Sequence, residues 1–297
     1  MVNMFKSKFL NDVNLQDKHA TYTLNNGVKI PVVGFGTWQV KDGEEAYNSV
    51  LEALKVGYRH IDTAEVYRNE ESVGRAIKDS GIPRNEIFVT SKVWNNHSSY
   101  ESAKEALEAS LNRLGLDYVD LYLIHWPNPA HTRPNNEQRN RDVYRALEDA
   151  YKAGKVRAIG ISNFMVHHLE SLLKTVTIKP AVNQIYINPT DQQEEVVLFN
   201  DKNDILTEAY SPLGTGKIFN VPMLEELARK YNKSIGQVVL RWSLEHGYLP
   251  LPKSVTPSRI KENLELFDFK LDKEDIEKID KLHGTFGSAP NPDTKDY

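Results

Sequence analysis

From Val32 onward, short apolar runs rich in Val and Ile alternate with longer amphipathic stretches. The runs predict strands over Val32–Gly36, Tyr58–Asp62, Ile87–Lys92, Tyr118–His125, Val156–Ser162, Ala181–Ile187, Ile205–Tyr210 and Leu249–Pro252. The stretches between them predict helices over Glu44–Lys55, Glu70–Lys78, Tyr100–Leu114, Arg141–Ala153, His167–Leu173, Pro222–Tyr231, Ile235–Glu245 and Arg259–Leu266. Tyr100–Leu114 shows the pattern well. Ala103, Leu107, Ser110, Leu111 and Leu114 share one face, and Glu101, Lys104, Glu105 and Glu108 take the other. Upstream, Tyr22-Thr23-Leu24 and Val28-Lys29-Ile30 flank Asn25-Asn26-Gly27, a hairpin signal because such turns need positive φ. Residues 1–20 read as an irregular, poorly ordered extension, and 21–297 as a single barrel domain.

Eight strands alternating with helices predict a parallel sheet. The spacing suits an α/β (β/α)8 TIM barrel, with the N-terminal β-hairpin closing its bottom and two extra helices. The rival is a doubly wound open sheet, which is disfavoured because no unit carries a dinucleotide fingerprint. Gly34-Phe35-Gly36-Thr37-Trp38-Gln39 starts as G-x-G-x-x-G but ends in Gln39. Gly214-Thr215-Gly216-Lys217 fails as a phosphate loop, having Ser211 in place of its first Gly and Ile218 in place of Ser or Thr. Pro127–Asn140 reads as a long polar loop of the kind that covers a site. The tail Gly284–Tyr297 reads as irregular.

Composition narrows the chemistry. The 297 residues carry a net charge of −4, which gives no footprint for nucleic acid. No cysteine is present, so thiolate sites and disulfides are excluded, and a reducing cytoplasm fits. Neither a secretory signal nor a run of ~18 apolar residues is seen, so no membrane role is expected. No interface signal stands out, and the expectation is a monomer. A metal site is not expected: His167 and His168 are adjacent, and their side chains should diverge on a helix or strand. No G-x-S-x-G suggests a serine hydrolase.

In a barrel the active site lies at the C-terminal strand ends. Those ends bring together Asp62, Tyr67, Lys92, His125 and the tryptophans Trp38, Trp94 and Trp126. A buried Lys needs a counter-charge, which Asp62 can supply. A Lys ammonium beside a Tyr hydroxyl favours the phenolate and should bring the Tyr pKa below its free value of about 10. Such a Tyr can protonate a carbonyl oxygen, with a His to orient it. No side chain supplies the hydride that must accompany the proton, so a nicotinamide partner is implied.

Gly34-Phe35-Gly36-Thr37-Trp38, Arg59-His60-Ile61-Asp62-Thr63-Ala64, Tyr67, Ser91-Lys92-Val93-Trp94 and Ile124-His125-Trp126-Pro127 resemble motifs of the aldo-keto reductase superfamily. So do Gly160-Ile161-Ser162-Asn163-Phe164, Gln184, Tyr210-Ser211-Pro212-Leu213-Gly214 and Leu251-Pro252-Lys253-Ser254. The resemblance runs from about Tyr22 and is strongest to the short bacterial members, which reduce methylglyoxal, other small aldehydes and diketo-sugar acids such as 2,5-diketo-gluconate. It implies Tyr67 as general acid, Lys92 and Asp62 as its tuners, and His125 as orienter of the carbonyl.

Ser162, Asn163 and Gln184 have polar groups suited to a nicotinamide carboxamide, and Tyr210 can stack on the ring. Ser211, Leu213 and Gly214 form a loop whose N–H groups suit a pyrophosphate. Lys253 and Arg259, near a helix start, suit an anion. The resemblance implies contacts to the 2′-phosphate of NADPH from Lys253, Ser254 and Arg259, and to adenine from Glu262 and Asn263. It also places Thr37, Trp38, Asp62 and Val255 on the cofactor, with NADH as the weaker alternative. Trp38, Trp94 and Trp126 should wall the substrate pocket over Tyr67 and His125, with Phe164 and the 127–140 loop contributing. A cofactor-binding regulatory or structural protein on the same barrel is the alternative from another class. A sugar isomerase or phosphate-substrate lyase is a third.

Overall fold

The computed structural model describes residues 4–297. A hairpin, β1 (Thr21–Thr23) and β2 (Lys29–Pro31), pairs antiparallel with Tyr22 opposite Ile30, and Gly27 turns it at a φ of 86°. Eight parallel strands follow: β3 (Phe35–Gly36), β4 (His60–Asp62), β5 (Phe88–Val93), β6 (Val119–Ile124), β7 (Val156–Ser162), β8 (Val182–Tyr186), β9 (Leu206–Tyr210) and β10 (Leu249–Pro250). Each pairs with its sequence neighbour. Backbone bonds from Gly34 N to Pro250 O (3.1 Å) and Gly36 N to Pro252 O (3.0 Å) join the first strand to the last and close the barrel. A side chain at Gly34 would put its Cβ 2.5 Å from Leu251 and 2.7 Å from His60, so the seam needs glycine there.

The helices are α1 (Glu44–Val56), α2 (Glu70–Asp79), α3 (Tyr100–Leu114), α4 (Asn136–Lys152), α5 (Val166–Leu173), α6 (Glu194–Lys202), α7 (Pro222–Tyr231), α8 (Ile235–His246), α9 (Pro257–Glu262) and α10 (Lys273–Asp280). Among the described residues this is two more than eight βα units require. The hairpin closes the bottom: Tyr22 donates to Tyr248 O (3.1 Å), Asn25 to Pro180 O (2.9 Å) and Asn26 to Arg157 O (2.9 Å), all near strand starts.

Several boundaries differ from expectation for physical reasons. Of Val32–Gly36 only the last two residues pair as a strand. The expected helix Arg259–Leu266 starts at Pro257, whose fixed φ suits a first turn, and ends at Glu262. Asn136–Asn140 is helix rather than loop, preceded by a 3-10 segment, Ala130–Asn135. Its polar composition faces inward: Arg139 donates to Trp126 O (2.7 Å) and Asn140 to Pro127 O (2.8 Å), satisfying carbonyls of the buried segment before it. α6 and α10 were not anticipated, being short and rich in charge.

The described part of the extension, Met4–Ala20, is irregular apart from a 3-10 turn, Lys8–Leu10, and packs against the barrel; residues 1–3 lie outside the described residues. Ser7 N donates to His246 O (3.0 Å), Ser7 Oγ to Asp201 (2.5 Å) and Arg241 to Leu15 O (2.7 Å). Phe5 stacks on Tyr248, with ring centroids 6.1 Å apart. These contacts fix the segment to α6, α8 and the start of β10.

Candidate active site

The tetrad converges at the C-terminal strand ends. Asp62 ends β4, Lys92 lies in β5, and His125 follows β6 directly. Tyr67 comes from a single 3-10 turn, Glu65–Tyr67, after β4. Two residues not singled out from the sequence set that turn. Glu65 accepts from Trp94 N (3.1 Å) and pairs with His97 (2.9 Å), tying it to the segment after β5. The buried Asn69 accepts from Thr63 Oγ1 (2.7 Å) and donates to Thr37 O (3.0 Å), tying it to β3.

Lys92 is fully buried. Its Nζ donates to Asp62 Oδ1 (2.7 Å), Thr63 O (2.9 Å) and Tyr67 OH (3.3 Å), so all three N–H groups have partners. Burial works against its charge, but Asp62 and then Tyr67 outweigh it and raise the ammonium's pKa. For Tyr67 the expected direction is reversed. Burial raises the phenol's pKa by more than Lys92 lowers it, and Asp62 adds to the rise. The resting group is thus a neutral phenol, the state a proton donor needs. Burial, reinforced by Lys92, holds His125 well below the ordinary histidine range, so its ring is neutral. Its Nδ1 has no hydrogen-bond partner among the described residues.

The carboxamide-type residues form one patch. Ser162 Oγ donates to Gln184 O (2.8 Å), Asn163 Nδ2 to His125 O (3.0 Å), and Tyr210 OH to Asn163 Oδ1 (2.6 Å). Asn163 holds a φ of 62°, and Ser211 and Gly214 hold 48° and 57°, so tight turns follow β7 and β9. Gln184 Nε2 donates to both Asp62 Oδ2 and Glu208 Oε2, each at 2.8 Å. Thr37 is buried beside Asp62, donating to its carbonyl (2.9 Å). Around α9, Lys253, Val255 and Arg259 are exposed, Ser254 Oγ accepts from Thr256 N (3.0 Å), and Glu262 and Asn263 are more buried.

Of the three tryptophans, Trp94 lies edge-on to His125 (5.0 Å between centroids), and Tyr67 does likewise (5.8 Å). Trp126 is joined to Trp94 through Tyr297, which packs 4.7 Å from Trp126 and 5.9 Å from Trp94. Trp38 is 47% exposed and takes no part in this cluster. Phe164 is buried against His168 rather than facing the cluster. Tyr297 had no signal in the sequence, since the tail around it has no periodicity.

The tail is held by a clasp. His167 and His168 do not diverge: their rings lie 3.9 Å apart between centroids at a tilt of 44°, and both Nε2 atoms meet Asp293, at 2.8 and 2.7 Å. His168 Nδ1 accepts from Met165 N (3.0 Å), so Nε2 carries the proton that it donates to Asp293. Asn128 also donates to Asp293 (2.8 Å).

The Aldo/keto reductase family profile matches residues 32–283. The chain belongs to the aldo/keto reductase family. It is 50% identical over 273 residues to glyoxal reductase of Bacillus subtilis (strain 168), covering 92% of this chain and 96% of that protein. The aldo-keto reductase MGS-M4 from a Medee basin deep-sea metagenome library superposes with a TM-score of 0.88 at 44% identity, covering 93% and 99% of the two chains. A Bombyx mori aldo-keto reductase solved in complex with NADP gives 0.82 at 36% identity, covering 90% and 94%. Carbonyl reduction by an oxidoreductase is the chemistry this membership supports. No described helix is long and apolar enough to cross a membrane.

Two buried titratable groups lie just inside the tetrad. Glu208 is raised to about 8 by burial and then by Asp62's charge, and His60 is lowered to about 3 by burial and then by Lys92. They stand 4.0 Å apart, and with both neutral at pH 7 this is not an ion pair. A raised carboxyl contributes stability below its unfolded value of 4.5 and loses it as pH climbs through about 8. His60 has the opposite sign: its contribution is present above 6.5 and lost as pH falls towards 3. Replacing Glu208 by Gln removes the first dependence. Relative to wild type, Glu208→Gln should gain about 3 kcal/mol between pH 5.5 and 8.5 in urea denaturation. An equal pH slope in both proteins would show that Glu208 is ionised in the fold.

Proposed function

We propose that the protein is an NADPH-dependent reductase of small aldehydes and ketones, α-dicarbonyls such as methylglyoxal and glyoxal among them. The observation that carries this reading is the Tyr67–Lys92–Asp62 chain, a neutral phenol 3.3 Å from an ammonium that is itself paired to a carboxylate. Tyr67 is the general acid. As its proton leaves for the carbonyl oxygen, Lys92 stabilises the phenolate and Asp62 keeps Lys92 in place. The neutral His125 donates a hydrogen bond that orients the same oxygen. Trp94 and Trp126 wall the substrate side.

The residues present fit a nicotinamide dinucleotide, which supplies the hydride when bound. Ser162, Asn163 and Gln184 would hold its carboxamide end, with Tyr210, Thr37, Trp38 and Asp62 contributing to the nicotinamide site. Ser211, Leu213 and Gly214 meet the pyrophosphate. Lys253, Ser254, Val255 and Arg259 hold the 2′-phosphate end, with Glu262 and Asn263 at the adenine. Two exposed cations around α9, Lys253 and Arg259, suit a 2′-phosphate and favour NADPH over NADH. The relative named glyoxal reductase supports the substrate class, and the NADP complex supports the cofactor. We further place the protein in the cytoplasm, as a monomer with residues 21–297 forming one barrel domain.

The test is to mix purified protein with methylglyoxal and either NADPH or NADH, and to follow absorbance of the reduced nicotinamide. Consumption should be faster with NADPH. Arg259→Ala should weaken NADPH binding by roughly 10- to 100-fold, the loss of a charge-assisted contact, and leave NADH binding nearly unchanged. Equal losses for the two cofactors would remove Arg259 from the 2′-phosphate. No consumption across a panel of aldehydes and ketones would overturn the reductase reading.

A further inference from the structure

Glu208 sits in mid-β9, fully buried, opposite Gln184 of β8. No assigned role requires a carboxyl group there. Among the described residues Lys92 is the cation whose charge acts on it, and Asp62 already pairs with that cation. A second carboxylate in this space would be an uncompensated buried charge. His60 of β4, 4.0 Å from Glu208 Oε1, offers none, because its Nδ1 has no partner and its Nε2 sits at Thr90 Oγ1 (3.0 Å). Burial, with Asp62's charge, accordingly keeps Glu208 a neutral acid up to about pH 8, against the smaller opposing pull of Gln184 and Lys92.

The hydrogen bonds say what the acid does. Gln184 has two amide hydrogens; one goes to Asp62 Oδ2 and the other to Glu208 Oε2. The Lys92-paired carboxylate of Asp62 can only accept, and Glu208 Oε2 accepts the second hydrogen, so the amide nitrogen faces both and the orientation of the amide is fixed. Its oxygen is the atom left over for a ligand. Asp62 in turn has one oxygen on Gln184 and the other on Lys92, which reaches Tyr67. The line Glu208–Gln184–Asp62–Lys92–Tyr67 is continuous. Without Glu208, one Gln184 N–H loses its acceptor in a buried site.

We propose that Glu208 is a positioning residue of the reductase site: through its buried Oε2 it holds the Gln184 amide, and through it Asp62, in the orientation that the nicotinamide carboxamide and the Lys92–Tyr67 pair require. This rests on the reductase reading for the identity of the ligand. Loss of the Glu208 proton places a second negative charge behind Asp62, which holds the Tyr67 proton more tightly and slows its donation.

The test uses the full chain with Glu208→Gln and Glu208→Ala. Gln keeps an acceptor for Gln184 and cannot ionise; Ala does neither. In cofactor-free protein labelled at its carboxyl carbons, the Glu208 signal, assigned by its loss in Glu208→Gln, should titrate far to the alkaline side of the other glutamates. The Asp62 signal, assigned with Asp62→Asn, should show a step at the same pH that is absent in Glu208→Gln. With cofactor, Glu208→Ala should weaken NADPH binding and lower kcat/KM by about tenfold each, the cost of one unmet buried donor. Gln should restore most of both while removing the alkaline step from the pH profile of reduction. Equal losses for Gln and Ala, or a Glu208 that titrates among the other glutamates, would overturn the proposal. If Ala does not fold, the wild-type and Gln titrations decide. If wild type binds no NADPH, the reductase reading fails, whereas a missing Asp62 step is a failure of this inference alone.

Discussion

Tyr67→Phe is expected to lower carbonyl reduction by about 10²- to 10⁴-fold and to leave NADPH binding within a few-fold of wild type. The change removes one oxygen. On the proposed mechanism that oxygen carries the proton for the product alcohol, and Lys92 Nζ stands 3.3 Å from it. The argument is differential. At rest burial dominates and holds the phenol's proton, so Lys92 at 3.3 Å adds little to ground-state binding. As the proton moves, charge develops on the oxygen, and the fixed ammonium stabilises it in a buried setting where such interactions are strong. The loss should therefore appear in kcat more than in KM. Stopped-flow hydride transfer and a fluorescence titration with NADPH separate the two. A mutant retaining more than a tenth of the activity would show that another group donates the proton. Binding of NADPH by both proteins, without turnover by wild type on any carbonyl tested, would favour a regulatory role for the barrel.

Much of this site was legible because of how a parallel barrel is built. Strand C-termini share one mouth, so reading Asp62, Lys92 and His125 off successive apolar runs already places them together. Tyr67 was legible from its distance beyond the second run, but the turn that aims it was not. Glu65 and Asn69 anchor it through partners on other strands, Trp94 and Thr37, that local pattern does not connect to them. The direction of the Tyr67 shift was missed for a related reason: a sequence shows which charges are near, and the depth of burial that outweighs Lys92 exists only in the fold. Glu208 was hidden because barrel strands are buried on both faces, so a single acid within Leu206–Tyr210 carries no sign of which way it points. His167 and His168 come together because Asp293, more than 120 residues on, folds back between them. That contact also brings Tyr297 against Trp126, a packing partner no periodicity could announce.

The same burial makes Lys92 the position where stability and activity are most strongly entangled, and they can be separated. Lys92→Met should cost about 3–5 kcal/mol in urea denaturation, because Asp62 is left as a buried charge with only Gln184 to satisfy it. Activity should fall with it, but the single mutant cannot say whether the site lost its chemistry or merely its shape. The double mutant Asp62→Leu, Lys92→Met can. Both side chains are buried, at 4% and 0% side-chain exposure, and apolar groups of similar volume remove both desolvation costs at once. Most of the lost stability should return. The hydrogen bonds to Thr63 O and to Gln184 Nε2 do not, so recovery stops short of complete. Reduction should stay as low as in Lys92→Met, since no ammonium then stands beside Tyr67. A double mutant that regained both stability and turnover would mean that the pair serves only to fill the barrel. A double mutant no more stable than the single would mean that Asp62 and Lys92 contribute to the fold beyond compensating each other.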